Sequence, residues 1–359
     1  MNWYKVATEG RAVPITSEGF GAMTWREKRA LARKTSLTPE VQLLFFTEEY
    51  AEKSDVLRAL ARNKSLALAT QLLFFTEEYG EKDWALKFLA VNPSITLETQ
   101  RLFFTEEYGN KSQVLEPLAH NPSIHPEVQP LFFTEEYDYK ALHNLAVNPS
   151  ITLETQRLFF AWNYWNKSHF LWNLAKNRSI TPLTERLFFT EDYKNKGEVL
   201  HNLAWNPSIT LETQRLFFTE KYKGEVLQGL ARNTSINPAI QPLFFAGEYK
   251  RKSEALYNLA CNRSITPEVQ RLFFTEEYES KGEILWVLAR NESITPETQR
   301  LLITEKHERK GDALLILAKN ENFLRNFTRD ELLLIKGVVR GNLKLHVLSK
   351  RLKQIAGVP

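Results

Sequence analysis

Apolar and polar positions follow two short helical rhythms that succeed one another repeatedly along this chain. In residues 38–63, Val41, Leu44 and Phe45 fall at helical spacing. A polar break follows, and Val56, Leu57, Leu60 and Ala61 then make a second apolar stripe. Thr38-Pro39-Glu40 opens the first stripe with a hydroxyl N-cap, a proline at the first helical position and an acid in the first turn. The spacing predicts a first helix of roughly twelve residues running to Tyr50 and a second of about eight to ten, as in 54–62. Asn closes the second helix, often before Pro (Asn92-Pro93, Asn121-Pro122, Asn148-Pro149, Asn206-Pro207). Proline pushes the residue before it out of the α region, which stops the helix. Neither helix can bury its stripe alone, so the pattern predicts helices stacked on their neighbours.

The rhythm has a fixed period. The Asn that follows Leu-Ala-x stands at 63, 92, 121, 148, 177, 206, 233, 262, 291 and 320, with Lys34 in its place at the start. The spacing is 29 residues except for 27 before Asn148 and before Asn233. Such a period marks a stacked repeat array. Both shortfalls follow the Tyr of the FFTEEY-like block, so residues 137–141 and 222–225 are expected to tighten a turn and leave the helices intact. The expected fold is all-α: a right-handed superhelical α-solenoid of about ten 29-residue two-helix repeats with irregular caps. The expected organisation is a degenerate N-terminal cap at 1–34, the repeat array at 35–320 and a basic C-terminal cap at 321–359. In the first cap, residues 25–32 read as the second half of a repeat whose first half has eroded. In the last, a helix is expected at 329–339, and eight Lys and Arg against three acids leave a local positive excess.

Composition narrows function more by exclusion than by assignment. The net charge of +4 does not by itself imply nucleic acid. One cysteine, Cys261, rules out intramolecular disulfides and any cysteine-built metal cluster. The N-terminus shows no apolar signal core and no run approaches a membrane span, so a cytoplasmic protein is expected. The seven histidines show no metal-ligand spacing, and no glycine-rich phosphate loop is present. Neither metal nor cofactor is expected. The acid pairs Glu48-Glu49, Glu77-Glu78, Glu106-Glu107, Glu135-Glu136 and Glu276-Glu277 recur in repeat after repeat, whereas a catalytic pair need occur only once. They read as a solvated acidic face neutralised by the loop lysines Lys53, Lys82 and Lys111. The chain is therefore expected not to be an enzyme.

The string Leu-Ala-x-Asn-Pro-Ser-x-x-Pro-Glu resembles the leucine-rich repeat variant family, a helical solenoid related in shape to HEAT-like repeats, over residues 31–320. The resemblance implies an architecture and fixes no function. Some members carry an N-terminal cysteine-bound iron–sulfur cluster; the cysteines for it are lacking here, so no cluster carries over.

The informative residues vary while everything around them repeats. In the second-helix frame Leu-x-x-Leu-Ala-x-Asn, the first and last variable positions are four apart and share one face. They pair as Arg58 with Arg62, Lys87 with Val91, Glu116 with His120, His143 with Val147 and Trp172 with Lys176. The series continues with His201 and Trp205, Gln228 and Arg232, Tyr257 and Cys261, Trp286 and Arg290, and Leu315 and Lys319. Stacking would align them into a double row with about 10 Å between repeats. The row holds cations and aromatic rings and one acid, Glu116. The candidate ligand-binding residues are Arg58, Arg62, Lys87, His120, His143, Trp172, Lys176, His201, Trp205, Arg232, Tyr257, Trp286 and Arg290. Rings between cations suit extended partners that are aromatic or anionic. Unconstrained drift competes with binding as the origin of this row, although drift should favour small polar residues of both charges. So does packing of the Trp side chains against the next repeat. The expected function is a binding scaffold for an extended protein or peptide along a concave ridge of second helices. The alternative is a nucleic-acid-binding solenoid using the same ridge and the basic tail; no membrane partner is expected.

Overall fold

A computed structural model describes residues 15–105, 108, 110–134, 139–162, 166–219, 223–319, 328, 330, 331 and 333. Among these residues the chain is all helix and turn, and it divides into two compact units, Met1–Thr181 and Pro182–Pro359. In the first, Ser17–Gly21 and Trp25–Ala32 precede first helices at Pro39–Thr47, Leu68–Thr76, Leu97–Thr105 and Leu153–Ala161, with a 3-10 turn at Gln129–Phe133. These alternate with second helices Lys53–Ala61, Lys82–Ala90, Lys111–His120, Tyr139–Val147 and Lys167–Lys176. The second unit alternates Pro182–Thr190, Leu211–Leu216, the 3-10 turn Gln241–Phe244, Pro267–Thr275 and Pro296–Thr304 with Lys196–Trp205, Lys223–Arg232, Lys252–Cys261, Lys281–Leu288 and Lys310–Lys319. Within each unit, like helices of successive repeats pack side by side. No helix among the described residues is long and apolar enough to cross a membrane.

The first helices stop at Thr47, Thr76 and Thr105, three residues short of the expected Tyr. The reason lies in the two side chains that follow. The Tyr50 hydroxyl turns back and donates to the Phe45 carbonyl at 3.0 Å, and Lys53 Nζ donates to the Phe46 carbonyl at 2.7 Å. Tyr79 and Lys82, and Tyr278 and Lys281, repeat the arrangement. The loop lysines thus serve chiefly as C-terminal caps for carbonyls a helix leaves unsatisfied. Their ion pairs with Glu49, Glu78 and Glu277 are secondary, because those carboxylates are almost fully in water.

The FFTEEY block supplies the core that links repeats. The first Phe of each pair is fully buried at 45, 74, 103, 132, 188, 217, 244 and 273. The second meets the first Phe of the next repeat edge-on, as in Phe46–Phe74, Phe75–Phe103, Phe104–Phe132 and Phe245–Phe273, with centroids 4.9–5.0 Å apart. Phe20 meets Phe45 in the same way at 4.8 Å, so the N-terminal cap keeps the ring contact although its first helix is cut to Ser17–Gly21.

The Asn that ends each second helix does more than stop it. Asn92 is buried; its Nδ2 donates to the Ala61 and Asn63 carbonyls of the preceding repeat, each at 2.7 Å, and its Oδ1 accepts the Ser94 N–H. Asn63, Asn121, Asn148, Asn177, Asn233, Asn262 and Asn291 make the corresponding bonds. Asn177 and Asn262, which precede arginine, are as extended as Asn121 and Asn206, which precede proline. The ladder holds the break, and proline is an accessory. A parallel ladder runs through the first helices: Gln71 Nε2 donates to the Leu66 and Ser94 carbonyls while its Oε1 accepts the Thr96 N–H.

The two shortened repeats depart from expectation. Leu211–Leu216 has six residues where most first helices have nine, and its end continues through the 3-10-type bonds Phe218 N–H to Arg215 and Thr219 N–H to Leu216. The deletion therefore costs that helix its last turn. Gln129–Phe133 is 3-10 for another reason, since Gln241–Phe244 is also 3-10 in a full-length repeat. Both have Pro after the Gln (Pro130, Pro242), which removes an N–H and crowds the preceding turn. The second helices that follow, Tyr139–Val147 and Lys223–Arg232, are complete. Residues 135–138 and 220–222 lie outside the described residues, as do 1–14, the acid pairs at 106–107 and 135–136, the basic tail at 344–353 and most of the helix expected at 329–339.

Candidate functional site

Each second helix has a constant side and a variable one. On the constant side Val56, Leu57, Leu60 and Ala61, and their counterparts in the other repeats, are buried. The two variable positions divide the opposite face between them. The first of each pair is half-buried: Arg58, Lys87, His143, Trp172, His201, Tyr257 and Trp286. The last is exposed at Arg62, His120, Lys176, Trp205, Arg232 and Arg290.

Cations and rings on this face are paired with one another. Lys176 Nζ sits 3.0 Å from the centre of the Trp172 ring, and His169 stacks on Trp172 at 6.1 Å with 11° between planes. The Arg62 guanidinium lies 3.7 Å from the Phe88 ring centre of the next repeat, and Lys87 is 5.3 Å from Trp84. In the second unit Arg232 approaches Trp205 at 5.7 Å, while Trp286 has Arg290 at 5.2 Å and Arg309 at 4.9 Å. Each contact is of the cation–π kind, which orders a large ring without burying it. Burial pushes the Lys176 ammonium below the usual lysine range.

Hydrogen bonds tie the same face across repeats through the middle variable position, which spacing alone did not single out. Asn173 Nδ2 donates to His143 Nδ1 at 2.9 Å and to the His169 carbonyl at 2.9 Å. The His143 ring is thereby set with Nδ1 as acceptor, and burial, then the neighbouring His169 and Lys176, hold it below the ordinary imidazole range against Glu116. Asn144 donates to the Glu116 carbonyl, Asn258 to the Gln228 carbonyl, and Arg232 Nε to Asn258 Oδ1. His201 Nδ1 donates to the Glu225 carbonyl at 2.9 Å. At this position Gly229 leaves no room: a Cβ there would stand 2.8 Å from both the His201 carbonyl and Trp205 Cδ1. The signal was present, as Asn recurs here at 144, 173, 202 and 258.

The face also begins earlier than the frame from Arg58 suggested. Arg29 and Arg33 hold the same two positions on Trp25–Ala32 and its C-cap. With Arg58, Arg62, Asp55, Ala59 and Phe88 they line a cleft of about 250 Å³. Arg58 is held by Asp55, and by Glu81 at 3.3 Å.

Among the described residues no group of His, Cys, Asp and Glu has the arrangement to hold a metal ion. Cys261 is exposed between arginines, and burial of its sulfur raises the thiol against the pull of Arg232 and Arg290. The thirteen residues picked from the sequence are thus on the open side of their helices. The structure groups ten of them into local clusters (Arg58 with Arg62; His143, Trp172 and Lys176; His201, Trp205 and Arg232; Trp286 with Arg290), while Lys87 lies against Trp84 and His120 and Tyr257 belong to none of these clusters. Comparison with protein-family models, with curated proteins and with solved structures finds no match.

Proposed function

We propose that this protein is a non-enzymatic binding scaffold that recognises an extended protein or peptide partner along the variable face of its second helices. One observation carries the reading. Within the same short helix, positions that repeat are buried, and the outer two positions that differ are half-buried or open to water and occupied mostly by cations and aromatic rings. Rings such as Trp172, already braced by Lys176 and His169, lose little side-chain freedom when a partner covers them. Large amphipathic rings of this kind serve as interface anchors. In this reading the repeats form a right-handed superhelix, about ten in number. The second helices line its inner side, and the single free Cys261 suits the reducing cytoplasm.

Nucleic acid is the second reading, favoured by the four arginines gathered at the cleft. Salt separates the two. With the chain as bait in an extract of its source cell, a protein partner should survive nuclease treatment and a rise from about 50 to 200 mM salt. A nucleic acid held through several phosphates would lose about 10³–10⁵ in affinity over that range. Loss of the captured material to nuclease, with retention after protease, would overturn the peptide reading.

A further inference from the structure

The cleft at the N-terminal end of the face has a more specific chemistry than the rest. Two arginines come from Trp25–Ala32 and its cap and two from Lys53–Ala61 and its cap, and four guanidiniums face one lining carboxylate, Asp55. Like charges gathered in this way repel, and only part of the repulsion is relieved internally. Arg58 is engaged by Asp55 and Glu81. Arg62 lies on the Phe88 ring, a contact that uses its flat face and leaves the in-plane N–H groups for an acceptor. Arg33 is exposed. Arg29 keeps its Nε shut off from solvent with no hydrogen-bond partner among the described residues. The Arg29 guanidinium also lines the cleft, where its charge favours a seated oxyanion.

We propose that this cleft seats the carboxylate side chains of an acidic segment in the partner. The proposal rests on the peptide-binding reading above and adds to it the anchor's chemistry and the residues Arg29 and Arg33. The cleft's size suits a side-chain group, since pockets for whole small molecules run to about 300–1,000 Å³. Phe88 provides an apolar wall for the methylenes that carry such a carboxylate. The positive charge is also densest here, with four arginines around one cleft. Beyond Lys87 the face presents Glu116, and the stretch to His143 and Trp172 is set by hydrogen-bonded and stacked rings. A nucleic-acid backbone needs positive charge at each phosphate along its path, whereas a single acidic anchor needs it in one place.

The test is a titration of the full chain with a short fluorescent peptide bearing a run of glutamates between Gly-Ser flanks. Its glutamine counterpart and a single-stranded RNA of equal charge are titrated alongside. The glutamate peptide should bind and the glutamine peptide should not. Arg29→Gln with Arg33→Gln should weaken binding at least tenfold, while Arg157→Gln with Arg178→Gln, the same charge change at exposed positions elsewhere in that unit, should not. Should the double variant fail to fold, Arg33→Glu alone, at an exposed position, should still abolish binding. Absence of glutamate-peptide binding, an equal loss in the control pair, or tighter binding of RNA at the same residues would each overturn the proposal. The two readings fail separately. A partner that depends on Trp172 and is indifferent to Arg29 and Arg33 refutes the cleft alone. A glutamate peptide held by the cleft, with partner binding indifferent to the tryptophans, refutes the extended face alone.

Discussion

At the scale of the residue, the repeat is held by side chains that satisfy backbone groups one repeat away. Asn92→Ala would leave the Ala61 and Asn63 carbonyls without their donor in a buried site. Each such loss costs about 1–3 kcal/mol, so denaturant unfolding should show a destabilisation of at least about 2 kcal/mol. Elsewhere the bond is missing and can be restored. His307 stands where Tyr278 donates to Phe273, and both its ring nitrogens are buried without a hydrogen bond among the described residues. The Leu302 carbonyl is near enough to favour the protonated ring without the geometry of a bond, and burial outweighs it, holding His307 below the usual range. His307→Tyr should restore the missing bond and raise stability by about 1 kcal/mol, read as a higher midpoint in urea. His143 and His307 share one pH signature. Both have folded-state values depressed below the ordinary imidazole value of 6.5. Their stabilising share is present above that value and is lost as pH falls from it through the folded values, because the unfolded chain takes up protons first. Melting temperatures measured from about pH 7.5 down to 5 should fall, and the fall should be shallower in a His143→Gln, His307→Tyr variant. The Asn was legible as a helix stop from its place after Leu-Ala-x. Its bonding was not, because a hydrogen bond to the preceding repeat leaves no trace in local spacing.

At the scale of the element, the two-helix period, the apolar faces and the threonines that open first helices were legible, since each is a local pattern repeated many times; Thr152, Thr210, Thr266 and Thr295 cap through their side chains, whereas Thr38 stands at its N-cap without a side-chain bond. The ends were not. Tyr50 looked like the last residue of a helix because it continues the spacing, yet it is the residue that caps that helix from outside. The 3-10 turns follow from Pro130 and Pro242, and replacing Pro130 by Arg, the residue at the same place in Leu97–Thr105, should lengthen that element into α-helix. Stronger far-ultraviolet helical signal with unchanged or higher stability is the expected outcome; an unchanged signal would mean that the packing, and not the proline, sets the 3-10 form. Phe103 is fully buried and meets Phe75 of the preceding repeat. Phe103→Ala should cost about 3–5 kcal/mol and loosen its own and adjacent repeats first, since each repeat is stabilised mainly by its neighbours. Hydrogen exchange that accelerates uniformly over the whole chain would contradict this.

At the scale of the whole molecule, the sequence separates what builds the array from what it presents. Residues that repeat (Phe, Leu, Ala, Gln, Asn) are buried and bonded across repeats, and residues that vary gather on one side of the second helices. That partition was legible because repeats of one chain serve as one another's controls. The grouping of the variable residues was not. It depends on which side chains reach across to the next helix, as Arg62 does to Phe88 and Asn173 to His143. In the proposed function the variable side binds and the repeated side holds. The most direct measurement is the affinity for the captured partner of the full chain and of its Trp172→Ala, Trp205→Ala, Trp286→Ala variant, with circular dichroism of both. Unchanged helicity is expected, with binding weakened by about 1–3 kcal/mol for each ring in contact. An unchanged affinity, or a variant that unfolds, would show those rings to be packing residues and contradict the proposed function.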